Sequence, residues 1–340
     1  MEEQKDITIY DIAKKLALSP ATVSRGLKDH PAIKKETRKR IKDAAAKMGY
    51  QNNLFASNLR SKKTNTIGLI VPKLNSYFMS SVISGMEQVA NARGYNLIIS
   101  QSLEAYEKEI SSANTMFNSR VDGLLVSLAY NTENLDHFEA LLRKKIPVIF
   151  FDRVVEHPRC TNIVIDNTRA GYEVAHHLLE QGCKRMVFLG GNLKRNVYAD
   201  RLKGYKLALA ESGIAFDESL VIINGLNEQG GQEAAQQILQ MKNKPDGLFA
   251  CNDSSAVACM QELKAAGLRV PTDIAVAGFN NEPSSRIIEP NLTTVNYPGY
   301  EMGEIAATTL LNAISSAPGS TINTLLLRHQ LIVRESSLRK

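Results

Sequence analysis

The chain contains no tryptophan in 340 residues, so any ring stacked on a ligand must come from its 11 tyrosines or 10 phenylalanines. Its four cysteines, Cys160, Cys183, Cys251 and Cys259, are scattered without the close spacing of a metal site. Free thiols in a reducing compartment are expected rather than disulfides. No stretch reaches the roughly 18 consecutive apolar residues that a membrane span requires. The first residues, Met-Glu-Glu-Gln-Lys-Asp, are acidic and polar and lack the apolar core of a secretory signal, so a cytoplasmic location is expected. The patterns Gly-x-Ser-x-Gly, Gly-x-x-x-x-Gly-Lys-Ser/Thr and His-Glu-x-x-His are all missing. Gly190-Gly191 follows an apolar strand without the third glycine of a dinucleotide fingerprint. His176 and His177 are neighbours in one predicted helix and do not share a face. No enzyme activity, cofactor or metal is therefore expected.

Charge is present but unevenly placed. Residues 1–66 hold 15 basic and 7 acidic residues, whereas the remaining 274 hold 26 and 28. A basic head on a near-neutral body points to a polyanionic partner for the head alone. The head lacks a wide apolar face, so nucleic acid is favoured over a membrane surface.

Within the head, residues 8–27 read as two short helices around a break at Ala17-Leu18. Thr8 can cap the first helix, with Asp11 three residues on as its acidic partner. Ile9, Ile12, Ala13 and Leu16 share one face. Ser19 can cap the second helix, and Pro20 sits at its first position, where a missing N–H costs nothing. Pro20, Ala21, Thr22, Ser24 and Arg25 form a small, polar outer side, opposite Leu18, Val23 and Leu27. Such a pair suits insertion into a DNA major groove. Residues 36–47 read as a third helix with Ile41, Ala44, Ala45 and Met48 as its core stripe and Gly49 as its C-cap. The surrounding Lys34, Lys35, Arg38, Lys39, Arg40 and Lys42 can meet phosphates. Residues 51–66 are polar and basic and read as a linker that orders on binding.

From Thr66 the texture changes to apolar strands alternating with amphipathic helices. Strands are predicted at 67–71, 96–100, 123–127, 148–151, 186–189, 220–223, 247–251 and 274–278. Helices are predicted at 82–93, 169–181, 200–212, 231–241 and 255–266. This pattern implies parallel sheets covered on both faces. The run Val121-Asp122-Gly123-Leu124-Leu125-Val126 recurs as Pro245-Asp246-Gly247-Leu248-Phe249-Ala250, which implies two similar open α/β lobes in series.

Open parallel sheets bind ligands beyond the carboxyl ends of their strands, and two facing lobes make a cleft there. The candidates are Asn75, Ser76, Tyr77 and Phe78 after the first strand, and Ser127 after the third. Asp152 and Arg153 follow the fourth. In the second lobe they are Asn252 and Asp253, then Asn280 and Asn281. Amides and carboxylates of this kind pair with hydroxyl groups, and tyrosine or phenylalanine rings cover the apolar face of a sugar. Asp166 and Asn167 read as helix caps.

The chain resembles the lac repressor (LacI/GalR) family of bacterial transcriptional regulators over essentially its whole length. The matching stretches include Ala21-Thr22-Val23-Ser24-Arg25, Gly49-Tyr50, Thr64–Pro72, Arg120-Val121-Asp122-Gly123 and Phe151-Asp152-Arg153. They continue with Arg201-Leu202-Lys203-Gly204-Tyr205, Phe249–Asp253, Leu292–Val295 and Glu301-Met302-Gly303. The resemblance implies an α/β fold: a small all-α helix-turn-helix headpiece plus a two-lobed, periplasmic-binding-protein-like core of doubly wound parallel sheets. The implied domains are 1–50 for the headpiece, 51–66 for a hinge and 67–340 for the effector-binding and dimerisation body. Its lobes are about 67–165 with 296–325, and 166–295 with 326–340. A homodimer on a near-palindromic double-stranded operator is implied, controlled by a small-molecule effector such as a sugar; the alternatives are a purine-responsive regulator and a periplasmic-type ligand-binding protein, the latter opposed by the basic head.

By matching positions, Pro20, Ala21 and Arg25 read bases. Thr8, Tyr10, Thr22 and Ser24 touch phosphates, and Ser19 belongs to the same DNA-facing surface. In the hinge, Asn53, Ala56 and Leu59 meet the minor groove, with Leu59 as the wedge. Asp152, Arg201, Asn252, Asn280 and Tyr297 match effector contacts. Tyr77, Phe78 and Ser127 line the cleft, and Asp253 joins them from its place at a strand end. The chain departs from the family at Asn52, where proline is usual, and at Asn280-Asn281, where two carboxylates are common. It also departs at Tyr297, where glutamine is frequent, so the identity of the effector does not carry over. No C-terminal heptad follows, so a tetramer through such an element is not expected.

Overall fold

The computed structural model describes residues 7–50, 63–316 and 323–339. The chain divides into two compact units, residues 1–64 and 65–340.

The first unit is a three-helix cluster of α1 (Ile9–Leu16), α2 (Pro20–Leu27) and α3 (Lys35–Met48). The Asp11 carboxylate accepts from the Thr8 backbone N–H at 2.8 Å and from the Thr8 hydroxyl at 2.7 Å, which fixes the first turn of α1. Ala17 ends that helix in the left-handed region at φ 55°, turning the chain toward α2. The Ser19 hydroxyl then accepts from the Thr22 N–H at 3.1 Å. Ile12, Val23 and Ile41 are fully buried and join the three helices into one small core.

The second unit holds two parallel sheets. The first contains β1 (Thr66–Val71), β2 (Asn96–Gln101), β3 (Gly123–Val126), β4 (Val148–Phe151), β5 (Thr161–Ile165) and β11 (Thr324–Leu327), in the order β11-β5-β4-β3-β1-β2. The second contains β6 (Met186–Gly190), β7 (Val221–Ile223), β8 (Gly247–Ala250) and β9 (Ala275–Ala277), in the order β7-β6-β8-β9. A short antiparallel pair, β10 (Thr294–Asn296) and β12 (Gln330–Ile332), completes the strands among the described residues. Strands β3, β4, β6 and β8 are buried along their whole length, as expected when helices cover both faces of a sheet.

Helices α4 (Tyr77–Ala92), α5 (Tyr106–Asn118), α6 (Glu139–Arg143) and α11 (Gly299–Ser315) serve the first lobe. Helices α7 (Asn167–Glu180), α8 (Asn196–Glu211), α9 (Glu228–Gln240) and α10 (Asp253–Ala265) serve the second. The pairing of α7 with α8 depends on glycine. A Cβ on Gly204 would lie 2.0 Å from the Thr168 carbonyl oxygen, and one on Gly171 would lie 2.3 Å from the Arg201 carbonyl oxygen. This close approach sets Arg201 beside the N-terminal turn of α7.

The predicted α/β class is found, with differences in detail. The first helix of this unit starts at Tyr77 rather than at 82, because Ser76 caps it through the Met79 N–H. Tyr77 and Phe78 therefore lie on a helical turn and not in a loop. Leu220 belongs to a short 3-10 turn, not to β7. Strands β5, β10, β11 and β12 and helices α5, α6 and α11 are additional to the predicted elements.

Candidate functional site

In the first unit, Pro20, Ala21 and Arg25 on α2 are exposed, and Thr22 and Ser24 are half-buried. Tyr10 is 67 % exposed, so its ring and hydroxyl are available to a partner. Ser19 and Thr8 are exposed, but both spend hydroxyl contacts on holding helix N-termini. The basic face of α3 is not uniformly available. Lys42 pairs with Asp29 at 2.6 Å, and Arg38 donates to the Asp29 carbonyl at 3.0 Å. The hydrogen bond from Lys42 holds the Asp29 carboxyl below its ordinary range. Asn53, Ala56 and Leu59 lie outside the described residues.

In the second unit, a buried polar cluster joins the two lobes. Asp152 sits just past β4 with φ 57° and is 7 % exposed. Its Oδ1 accepts from the Tyr297 hydroxyl at 2.9 Å and its Oδ2 from the Ser127 hydroxyl at 3.2 Å. The Tyr297 ring stacks on Phe78 at 4.3 Å and meets Phe279 edge-on at 6.0 Å. Arg201 lies 3.5 Å over the Phe279 ring, donates from Nε to Asn167 Oδ1 at 2.9 Å and from Nη1 to the Cys251 carbonyl at 2.9 Å. A guanidinium held flat on an aromatic face has its planar fork fixed before any ligand arrives.

Further bonds cross between the lobes nearby. Arg153, paired with Glu104 of its own lobe at 2.6 Å, donates across to the Tyr198 hydroxyl at 3.1 Å. Asn192 donates to the Tyr130 carbonyl at 2.6 Å and Asn196 to the Asp152 carbonyl at 3.0 Å, while Asn196 Oδ1 accepts from the Val154 N–H at 2.9 Å.

Burial dominates the electrostatics. It pushes the Asp152 carboxyl up, against the opposing pull of Arg153, the Tyr297 hydrogen bond and Arg201. Burial and the facing Asp152 carboxyl push the Tyr297 phenol well above its usual value. Asp253 is pushed up to about 8 by burial. All four cysteines are free and buried, and burial drives each thiol up to about 12, so none is poised as a nucleophile. Among the described residues no group of three or more His, Cys, Asp or Glu side chains is placed to hold a metal. No helix among them is long and apolar enough to cross a membrane.

The structure divides the nine ligand-binding candidates. Tyr77, Phe78, Asn280 and Tyr297 line an open cavity of about 330 Å³, together with Arg286 and Glu301. Ser127, Asp152 and Arg201 belong to the buried cluster, and Tyr297 takes part in both. Asn252 is engaged locally, accepting from the Ser255 N–H at 3.0 Å and donating to the Leu226 carbonyl at 2.7 Å. Asp253 is fully buried and accepts from the Thr294 hydroxyl and the Glu282 N–H, both at 2.7 Å, which makes it a fastener of the 280–294 segment. Asp166 caps α7 through the Arg169 N–H. Asn167 does more than cap, since it is buried against Arg201. The neighbour Arg153 pairs with Glu104 rather than with Asp152.

Sequence reasoning passed over Arg195, Asn196, Tyr198 and Phe279. The strand-end rule, applied to β6 as it was to the other strands, would have pointed to the first three.

Residues 8–53 match a family profile described as "Bacterial regulatory proteins, lacI family", and residues 175–337 match a "Periplasmic binding protein-like domain". Catabolite control protein A of Priestia megaterium is 32 % identical over 88 % of this chain and 90 % of its own length. The chain belongs to the lacI family of bacterial regulatory proteins. It is thus related to DNA-binding transcriptional regulators, not to enzymes. Among solved structures, the regulator CelR in complex with cellobiose is 26 % identical, with a TM-score of 0.73 over 97 % of this chain and 99 % of that one. The lac repressor dimer bound to operator and an anti-inducer is 23 % identical and shares the fold, with a TM-score of 0.87 over 98 % of this chain and 100 % of that one.

Proposed function

We propose that this family member is a repressor of carbohydrate-use genes that binds a near-palindromic operator as a homodimer. In this reading a small polar ligand, a sugar in the first instance, binds between the lobes of the second unit and sets the affinity for DNA. Pro20, Ala21 and Arg25 read base edges, while Thr8, Tyr10, Ser19, Thr22 and Ser24 meet the backbone. Asn53, Ala56 and Leu59 act at the minor groove once the hinge is ordered. Ligand binding changes the lobe arrangement at the dimer interface and so the ability of the hinge to order, a coupling that is reciprocal by linkage.

The observation that carries the ligand reading is the Asp152–Tyr297–Arg201 cluster. It sets a carboxyl, a phenol and a pre-oriented guanidinium beside Phe78 and Phe279, in a place that bonds from both lobes converge on. Hydroxyl-bearing ligands need this combination of acceptors, donors and ring faces. The cellobiose bound by CelR is a ligand of that chemistry in a related regulator.

The test is a thermal-shift screen of the purified protein against sugars, sugar phosphates and purines, followed by DNA binding with and without each hit. A ligand at 100 times its dissociation constant adds about 2.7 kcal/mol to the stability of the unit it binds. A sugar that raises the melting point and weakens DNA binding establishes an inducible repressor. One that raises it and tightens DNA binding establishes a co-repressed system. A purine hit replaces the carbohydrate assignment, and silence across the panel refutes the ligand reading.

A further inference from the structure

Arg195 has surroundings that nothing in the cluster above explains. It is the N-cap residue of α8, beyond the carboxyl end of β6, and is only 5 % exposed. Its Nη2 donates across the cleft to the Thr132 carbonyl at 2.7 Å. Its Nε and Nη1 are buried with no hydrogen-bond partner. The nearby carboxylates are occupied. Glu104 pairs with Arg153 at 2.6 Å. Glu109 accepts from the Ala129 N–H at 2.6 Å, the Thr132 hydroxyl at 2.9 Å and His137 Nε2 at 3.0 Å. Among the described residues no carboxylate forms an ion pair with Arg195.

A second observation points the same way. Helix α8 is 16 residues long, and no side chain caps its first turn. Its N-terminus therefore adds partial positive charge at the same end of the cleft. Burial and the Arg153 charge act against the Arg195 cation, and the Glu109 and Glu104 carboxylates attract it from a distance without pairing with it. A buried cation with no directly paired counter-ion and two idle N–H groups is costly, and a like charge beside it raises the cost. An anionic group at this point would remove that cost and satisfy both idle nitrogens with charge-assisted hydrogen bonds.

We propose that the ligand of the inter-lobe cleft carries an acidic group, a phosphate monoester or a carboxylate on a hydroxylated body, and that Arg195 binds the acid. This rests on the reading that the effector binds between the lobes. Arg195 holds the acidic end with the N-terminal turn of α8, while Asp152, Ser127 and Arg201 face the hydroxyl-bearing end.

The experiment uses the full-length protein and a panel of hexoses and pentoses, each alongside its phosphate monoester and its aldonic acid. Binding is measured by thermal shift and calorimetry for wild type, Arg195→Met, Arg195→Lys and Arg201→Met. An acidic member is expected to bind at least tenfold more tightly than its neutral parent. That ratio collapses toward one in Arg195→Met and is partly kept in Arg195→Lys, whereas Arg201→Met weakens acid and parent alike. The phosphate and aldonate arms show which acid is preferred. Without ligand, Arg195→Met should melt close to wild type, because loss of the Thr132 bond is offset by removal of a buried charge with no direct ion pair. A markedly lower melting point would assign Arg195 to fastening the 129–132 loop and overturn the proposal. Neutral sugars that bind wild type and Arg195→Met equally well, but fail with Arg201→Met, would leave the effector reading standing and remove the acidic group. No binding by any member would remove both.

Discussion

Replacing Tyr297 with phenylalanine deletes one oxygen and leaves the ring stack on Phe78 in place. That oxygen donates to Asp152 Oδ1 at 2.9 Å from a side chain only 4 % exposed, so little water can take its place. Asp152 then keeps the Ser127 hydroxyl at 3.2 Å as its remaining side-chain donor. The cost depends on the charge of Asp152. Losing a hydrogen bond to an ionised group costs about 1.5–3 kcal/mol, and losing one to a neutral group about 0.5–1.5 kcal/mol. Burial raises the Asp152 carboxyl, so the balance between the two forms shifts with pH above the ordinary carboxylate range. A domain of this size loses roughly 2 °C of melting temperature per kcal/mol. Tyr297→Phe should therefore melt about 3–6 °C below wild type where Asp152 is ionised and about 1–3 °C below it where Asp152 is protonated, so the cost grows as pH rises through the range above the ordinary carboxylate value. Scanning calorimetry on both proteins across that range is the assay. A cost independent of pH, or one under about 0.5 kcal/mol throughout, would refute the assignment of the phenol as the chief donor to a titrating Asp152.

Gly204→Ala would set a methyl group 2.0 Å from the Thr168 carbonyl oxygen and 2.5 Å from the Tyr172 nitrogen. Both obstacles are backbone, so α7 and α8 must separate, at a cost of about 3 kcal/mol in urea unfolding. Burial pushes the Asp253 carboxyl up to about 8 in the folded chain, against an ordinary value of 3.8. A raised carboxyl contributes stability that is fully present below the unfolded value and is lost as pH rises through the folded one. Stability should thus fall between about pH 4 and 8, and Asp253→Asn should flatten that slope. In the first unit, Arg25→Ala should lower discrimination between operator and random DNA by about 1–3 kcal/mol. Lys39→Ala should weaken binding to both about equally and reduce the salt dependence by about one ion, as read by titration at several salt concentrations.

The sequence made the α/β class and most elements legible because short apolar runs such as Ile67–Val71 and Gly247–Ala250 alternate with longer amphipathic stretches, the mark of buried parallel strands under helices. Helix α11 escaped notice because its buried stripe is made largely of small residues, including Gly303, Ala306 and Ala307. Strand β5, Thr-Asn-Ile-Val-Ile, is short and has a buried asparagine within it. The site was legible where chemistry follows a strand end, as at Ser127 and Asp152. Strand ends could not separate a residue that faces the cleft from one spent on backbone. Asn252 and Asp253 look the same in sequence as Asp152, yet their oxygens are taken by Ser255, Thr294 and Glu282. Only tertiary contacts reveal that Asn167 carries Arg201, or that Phe279 lies beneath it.

The side chains of Asn192, Arg195 and Asn196 grip main-chain atoms of residues 130, 132, 152 and 154. The grip is one-sided, since one lobe contributes identity and the other only shape. Side chains at Tyr130 and Val154 can therefore change without removing any of these bonds. Such positions can vary, Val154 within the limits of its packing on the first-lobe core, while the lobes still meet in the same register. Substitutions at 192 and 196 should loosen the meeting of the lobes, whereas substitutions at 130 should leave it intact.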